Sequence, residues 1–154
     1  MGGSTLGAQT IYEFLNHKIK KKFLFINNLQ NNQKNEQNKK YLNLIVSKSG
    51  NTIETIVNSN ILIKNNEKNI FIIENKQNYL NTLAQKLKAE IIHHNNFIGG
   101  RYSVLSEVGM LPAELMGLDE KKFKRFDYLI KNKNFINSLI ENVIAINLYA
   151  KQGK

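Results

Sequence analysis

Three short stretches carry the residue types from which a reactive site could be built. In Ser47-Lys48-Ser49-Gly50-Asn51-Thr52, three hydroxyls, one ammonium and a glycine stand within six residues. Several neutral donors, one cation and a helix opening just downstream suit a phosphate group. The G-x-x-x-x-G-K-[ST] pattern of nucleotide-triphosphate loops is absent, which argues for a sugar phosphate. A Ser/Thr-capped helix with a solvated lysine is the plainer reading of the same residues.

The second stretch is Phe97 to Gly109, FIGGRYSVLSEVG, where Gly99 and Gly100 precede Arg101. Arg101 is one of only two arginines in a chain otherwise supplied with lysine. Two glycines would let the backbone turn tightly, so that the side chain projects into a cleft. A guanidinium is permanently charged and holds its donors in a rigid fork, which an ammonium does not. Such a group stabilises oxygens that become negative during a reaction. The alternative is a structural arginine that ties loop carbonyls together.

The third stretch, Gly2-Gly3-Ser4-Thr5-Leu6-Gly7, runs directly into an apolar-periodic segment. Glycines allow an anion to approach the backbone, and Ser4 or Thr5 could cap the helix that follows. Glycine-serine caps are common, so on its own this stretch says little.

These stretches need a scaffold. Four short apolar runs, Phe23–Asn28, Tyr41–Ser47, Asn69–Asn75 and Ala89–His94, suit strands covered on both faces. Helical periodicity falls between most of them: Leu6–Ile19, Thr52–Ile63 and Asn78–Lys88. The alternation predicts an α/β fold, a parallel sheet flanked by helices with right-handed crossovers. The phosphate-type loop then sits at the carboxyl end of a strand, where open α/β sheets bind ligands. Gln30–Lys40 is polar throughout and reads as a loop or an exposed helix. After Pro112 the chain is expected to turn helical, ending in a stripe of Phe135, Leu139, Val143, Ile146 and Ala150. A stripe of that kind should pack on something large.

Composition narrows the partners. A length of 154 residues suits one domain of ordinary size. The formal charge of +10 invites a nucleic-acid reading, but the lysines alternate with asparagines rather than lining a face with aromatics. Lysine, asparagine and isoleucine are also what AT-rich codons supply. The cluster His17–Phe23 reads as a helix end passing into a strand, where cations suit the helix dipole. No apolar run is long enough to span a membrane, and no basic start followed by an apolar stretch reads as a signal peptide. With no cysteine there is no disulfide and no thiolate metal site, which agrees with a reducing cytoplasm.

Taken together, the three stretches resemble the phosphoglucose isomerase family. Its first sugar-isomerase (SIS) domain carries a Gly-Gly-Ser turn, a Ser-Lys-(Ser/Thr) loop and a Gly-Gly-Arg-(Tyr/Phe)-Ser signature, in that order. Gly2-Gly3-Ser4, Ser47-Lys48-Ser49 and Gly99–Ser103 match that order here, and GGRYSVLSEVGMLP is the most specific of the matches. The resemblance implies a flavodoxin-like three-layer sandwich. It implies interconversion of glucose 6-phosphate and fructose 6-phosphate through a cis-enediol, as in glycolysis and gluconeogenesis, without metal or cofactor. On the same ground Ser47, Lys48, Ser49 and Thr52 would hold the phosphate, and Gly3 and Ser4 would line the pocket. Arg101 would stabilise the enediolate, and the full-length protein would form a homodimer.

The family's glutamate base, ring-opening histidine and C-terminal lysine lie in later motifs that this sequence does not contain. Glu107 reads as the start of a helix, and His17, His93 and His94 as structural or exposed residues. The expected organisation is an SIS domain at 1–118 without its first strand, then a helical extension at 119–154 leading to a second domain. A fragment of a longer enzyme, inactive by itself, is thus expected. The other readings are a sugar-phosphate sensor that converts nothing and, on charge alone, a basic RNA-binding domain.

Overall fold

In the computed structural model, residues 3–29, 41–64, 67–123 and 125–153 are described. The uninterrupted apolar run of the chain becomes the centre of the sheet. Strand β2, Lys68–Glu74, has Phe71, Ile72 and Ile73 at 0% exposure. Burial on both faces is the reason its sequence shows no polar alternation. Strands β1, Leu42–Val46, and β3, Glu90–His94, pair with it in parallel, in the order β1-β2-β3. Ile45 stands opposite Phe71, and Phe71 opposite Ile91.

Successive side chains of a strand point to opposite faces, so β2 serves two layers. On one face Ile45, Phe71 and Ile73 pack with Leu80 and Ala84, and Ile56 joins from the side. Those last three residues belong to helix α2, Ile53–Leu62, and helix α3, Tyr79–Lys86. Ile70 and Ile72 are buried on the other face. That layer contains helix α1, Gly3–Phe14, and helix α4, Glu107–Leu115, which pack on each other, α4 also reaching β3. Fully burying one such side chain contributes about 1.5–3 kcal/mol. Helices on both faces of a parallel sheet make the α/β three-layer architecture expected of the sequence.

Several local expectations need correction. Phe23–Asn28 is not a strand. Phe23 and Phe25 instead set their rings against Tyr12 of α1, with centroids 5.7 and 5.5 Å apart. Tilted ring contacts of that kind hold the segment extended without any ladder. Helix α4 starts at Glu107, well before Pro112, which lies inside it. Ser106 caps it by accepting from the Val108 N–H, and the acidic Glu107 suits the first turn. A proline there removes one helix hydrogen bond, a cost the buried packing of Val108, Met110 and Ala113 offsets. Residues Gln30–Lys40 lie outside the described part.

The chain divides into two compact units, Met1–Leu118 and Asp119–Lys154. The second holds α5, Glu120–Phe123, α6, Asp127–Lys131, and α7, Lys133–Lys151. Asn132 caps α7 by accepting from the Asn134 and Phe135 N–H groups. Its apolar stripe is not buried as expected: no residue of α7 is buried, and within its unit the helix meets the short α6. No described helix is long and apolar enough to cross a membrane.

Candidate functional site at the carboxyl edge of the sheet

Because the strands are parallel, the loops after β1, β2 and β3 leave from one edge. The first of them is Ser47–Thr52. Ser47 is buried and its Oγ lies 2.9 Å from Thr52 Oγ1, which is on an exposed residue. Ser49 is exposed, and its Oγ accepts from the Asn51 N–H at 3.3 Å. Gly50 has φ +66°, a left-handed conformation. A Cβ at Gly50 would fall 2.0 Å from Asn78 Oδ1, so both backbone and space require glycine.

Helix α3 holds this loop from behind. Its opening N–H groups are spent on the loop: Tyr79 N donates to Asn51 Oδ1 at 3.1 Å, and Leu80 N to the Gly50 carbonyl at 3.1 Å. By contrast, no side chain caps α2, whose N-cap is Thr52. The first N–H groups of α2 therefore remain available beside the hydroxyls, an arrangement that favours an anion.

Lys48 ties the first stretch to the residue just before the second. Its Nζ donates to the Asn96 carbonyl at 2.7 Å, in the loop that follows β3. The same ammonium lies 3.6 Å from the carboxylate of Glu74, the last residue of β2, which is itself largely buried. Glu74 N also donates to the Lys48 carbonyl at 3.0 Å. An ammonium has three N–H donors, so these two partners leave one for a ligand.

Beyond Asn96 the chain forms a 3-10 helix, Gly100–Leu105, that contains Arg101. The backbone turns tightly here as expected, although neither Gly99 nor Gly100 adopts a positive φ. The short helix does the turning, fixed by Ser103 Oγ donating to the Gly100 carbonyl at 2.7 Å. Arg101 is exposed and makes no hydrogen bond or ion pair among the described residues. Among the described residues it ties no loop carbonyl.

The helix α1 stretch approaches the same region. α1 packs on the 3-10 helix, and a Cβ at Gly7 would lie 3.0 Å from Val104 Cβ. Helix α1 begins at Gly3, with Ser4 and Thr5 in its first turn. Gly2 lies outside the described residues. A separate open groove is lined by Leu6, Gln9, Thr10, Glu13, Phe14 and Asn27.

Two residues were undervalued in the sequence. His94 ends β3 buried at 4% exposure, whereas His93 beside it is exposed. Its Nδ1 meets the carboxylate of Glu107, and its Nε2 lies 3.2 Å from the Ile98 carbonyl. Alternation along a strand shows that one of two adjacent histidines faces inward, but not which partner awaits it. Glu107 does open a helix, as its sequence position suggested, and is also the half-buried partner of His94. His17 is exposed.

A family model described as phosphoglucose isomerase matches residues 1–148. The glucose-6-phosphate isomerase of Methanocaldococcus jannaschii is 31% identical, the alignment covering 100% of this chain and 42% of that protein. The enzyme of the same name from Acholeplasma laidlawii is 34% identical, over 79% of this chain and 33% of its own. A crystal structure of a hypothetical protein from Thermus thermophilus superposes with a TM-score of 0.67 at 24% identity. It matches 78% of this chain and 32% of that one, a likeness of fold. This chain thus spans less than half the length of the curated relatives it matches.

Proposed function

The chain belongs to the phosphoglucose isomerase family, and from that premise we propose that it supplies the phosphate-gripping and oxyanion-stabilising part of a glucose-6-phosphate isomerase. The observation that carries this reading is the 2.7 Å bond from Lys48 Nζ to the Asn96 carbonyl. It brings the hydroxyl-rich loop and the arginine-bearing segment to one edge of the sheet.

In this reading Ser47, Ser49 and Thr52 offer hydroxyls to the phosphate oxygens, while Lys48 and the open N-terminus of α2 supply positive potential. Gly3 and Ser4 line the sugar end of the pocket. With the phosphate anchored, the C1–C2 end of the opened sugar extends toward Arg101. A base takes a proton from one of those carbons, and the resulting cis-enediolate carries its charge on oxygen. The guanidinium stabilises that oxygen, lowering the barrier without itself exchanging a proton. The proton then returns to the neighbouring carbon, giving the aldose or the ketose.

The base is assigned to a part of the enzyme outside these residues. Glu107 is engaged with His94, and Glu74 with Lys48 and Lys76. On this account residues 1–118 form the sugar-phosphate domain, and residues 119–154 lead to the rest of the enzyme. The chain by itself binds the sugar phosphate and does not turn it over, and the complete enzyme is a cytoplasmic homodimer.

Calorimetric titration with fructose 6-phosphate, alongside a coupled isomerase assay, tests the proposal. Saturable binding that inorganic phosphate competes away, with no turnover, is expected. Absence of binding at millimolar sugar phosphate removes it.

A further inference from the structure

We infer that His94 is the positioning residue of the Arg101 segment, acting as a buried strut that fixes both of its ends. This inference rests on the functional reading above, in which Arg101 meets the enediolate oxygens. The segment from Ile98 to Glu107 holds Arg101 and returns to the body of the domain at each end. At its start the Ile98 carbonyl lies 3.2 Å from His94 Nε2. At its close the Glu107 carboxylate meets His94 Nδ1. One imidazole, 4% exposed at the end of β3, therefore touches both boundaries of the segment.

Both partners are oxygen atoms. A carbonyl oxygen can only accept, so Nε2 carries a hydrogen toward Ile98. Nδ1 in turn faces a carboxylate oxygen, so each ring nitrogen is directed at an oxygen on a different end of the segment. Rotation of the ring would break both bonds together, because its two nitrogens are fixed relative to each other. Arg101, in contrast, makes no hydrogen bond or ion pair among the described residues. Its placement depends on the backbone that carries it, and that backbone is held by Ser103 within and by His94 at its limits.

The test separates oxyanion recognition from phosphate recognition. Two probes serve: glucitol 6-phosphate, with no charged end opposite the phosphate, and 5-phosphoarabinonate, whose carboxylate stands where the enediolate would form. Their affinities are measured by calorimetry for the 154-residue chain and for His94→Gln, Glu107→Ala, Glu107→Gln and Arg101→Ala, with folding checked by circular dichroism. The wild type is expected to prefer the arabinonate, and Arg101→Ala to lose that preference. His94→Gln and Glu107→Ala are expected to reduce the preference about tenfold, since small displacements of a positioned group are costly. Their affinity for glucitol 6-phosphate should stay within about twofold of the wild type. Glu107→Gln keeps a hydrogen-bonding partner for Nδ1 and should restore most of the preference.

An unchanged preference in whichever of the two variants folds overturns the inference. So does a parallel loss of both affinities, the mark of a merely structural residue. If Arg101→Ala loses the preference while both strut variants keep it, the functional reading stands and only the strut falls. If the wild type shows no preference, the functional reading falls and takes the strut with it.

Discussion

The ammonium of Lys48 donates to the carbonyl of Asn96 across 2.7 Å, joining loops that leave two different strands. Asn96 lies five residues before Arg101, so the bond links the hydroxyl-bearing loop to the segment that carries the guanidinium. Replacing Lys48 by Met keeps most of the stem and removes the charge. A hydrogen bond to a charged group contributes about 1.5–3 kcal/mol. Fructose 6-phosphate affinity measured by calorimetry should fall about 10- to 100-fold, because one ammonium serves both the phosphate and the neighbouring loop.

Gly50→Ala should destabilise the fold more than an ordinary loop substitution. The left-handed backbone costs a residue with a Cβ about 1–2 kcal/mol, before the collision with Asn78 is counted. A domain of this size loses about 2–4 °C of Tm per kcal/mol. A thermal melt followed by circular dichroism should therefore drop by at least about 2–8 °C.

Ser47 and Ser49 should separate stability from binding. Ser47 is buried against Thr52, so Ser47→Ala leaves a hydroxyl without its partner and costs about 1 kcal/mol of stability. Ser49 is exposed, so Ser49→Ala should leave the Tm unchanged while weakening phosphate binding. Melts and phosphate titrations of the two variants check both halves.

Arg101→Lys should be silent in the fold and loud in recognition. The side chain has no intramolecular partner among the described residues, so stability should stay within about 0.5 kcal/mol. An ammonium does not reproduce the planar fork, and affinity for 5-phosphoarabinonate should fall about tenfold or more. Unfolding curves beside calorimetric titrations decide the matter.

Thermal protection should follow the ligand and not the net charge. At about ten times its dissociation constant, fructose 6-phosphate stabilises by about 1.4 kcal/mol, or about 3–6 °C of Tm. An oligonucleotide at the same concentration should give no comparable shift. The reverse pattern would favour a basic nucleic-acid domain.

Much of the fold could be read from residues with a single way to be satisfied. Ile70–Ile73 has no polar face, and its β-branched, aromatic make-up suits a strand covered on both sides. The Ser47–Thr52 loop was legible because strand, hydroxyls and helix follow each other without a gap. Phe23–Phe25 misled because aromatic residues suit a strand and a ring cluster equally, and Tyr12 supplied the cluster. Pro112 misled in the same way: a proline often opens a helix, but the capping Ser106 lies upstream. The His94–Glu107 pair spans 13 residues and the Lys48–Asn96 bond spans 48, across elements with different periodicities. No periodicity announces such pairings, so only the folded chain reveals them.

The most direct test of a shared site is a titration of the isotopically labelled chain with fructose 6-phosphate, followed by amide NMR shifts. If the two loops form one pocket, amides from Lys48 to Thr55 and from Gly99 to Tyr102 should shift along a single saturation curve. Shifts confined to the groove beside Leu6, Thr10 and Phe14, with both loops unmoved, would contradict it.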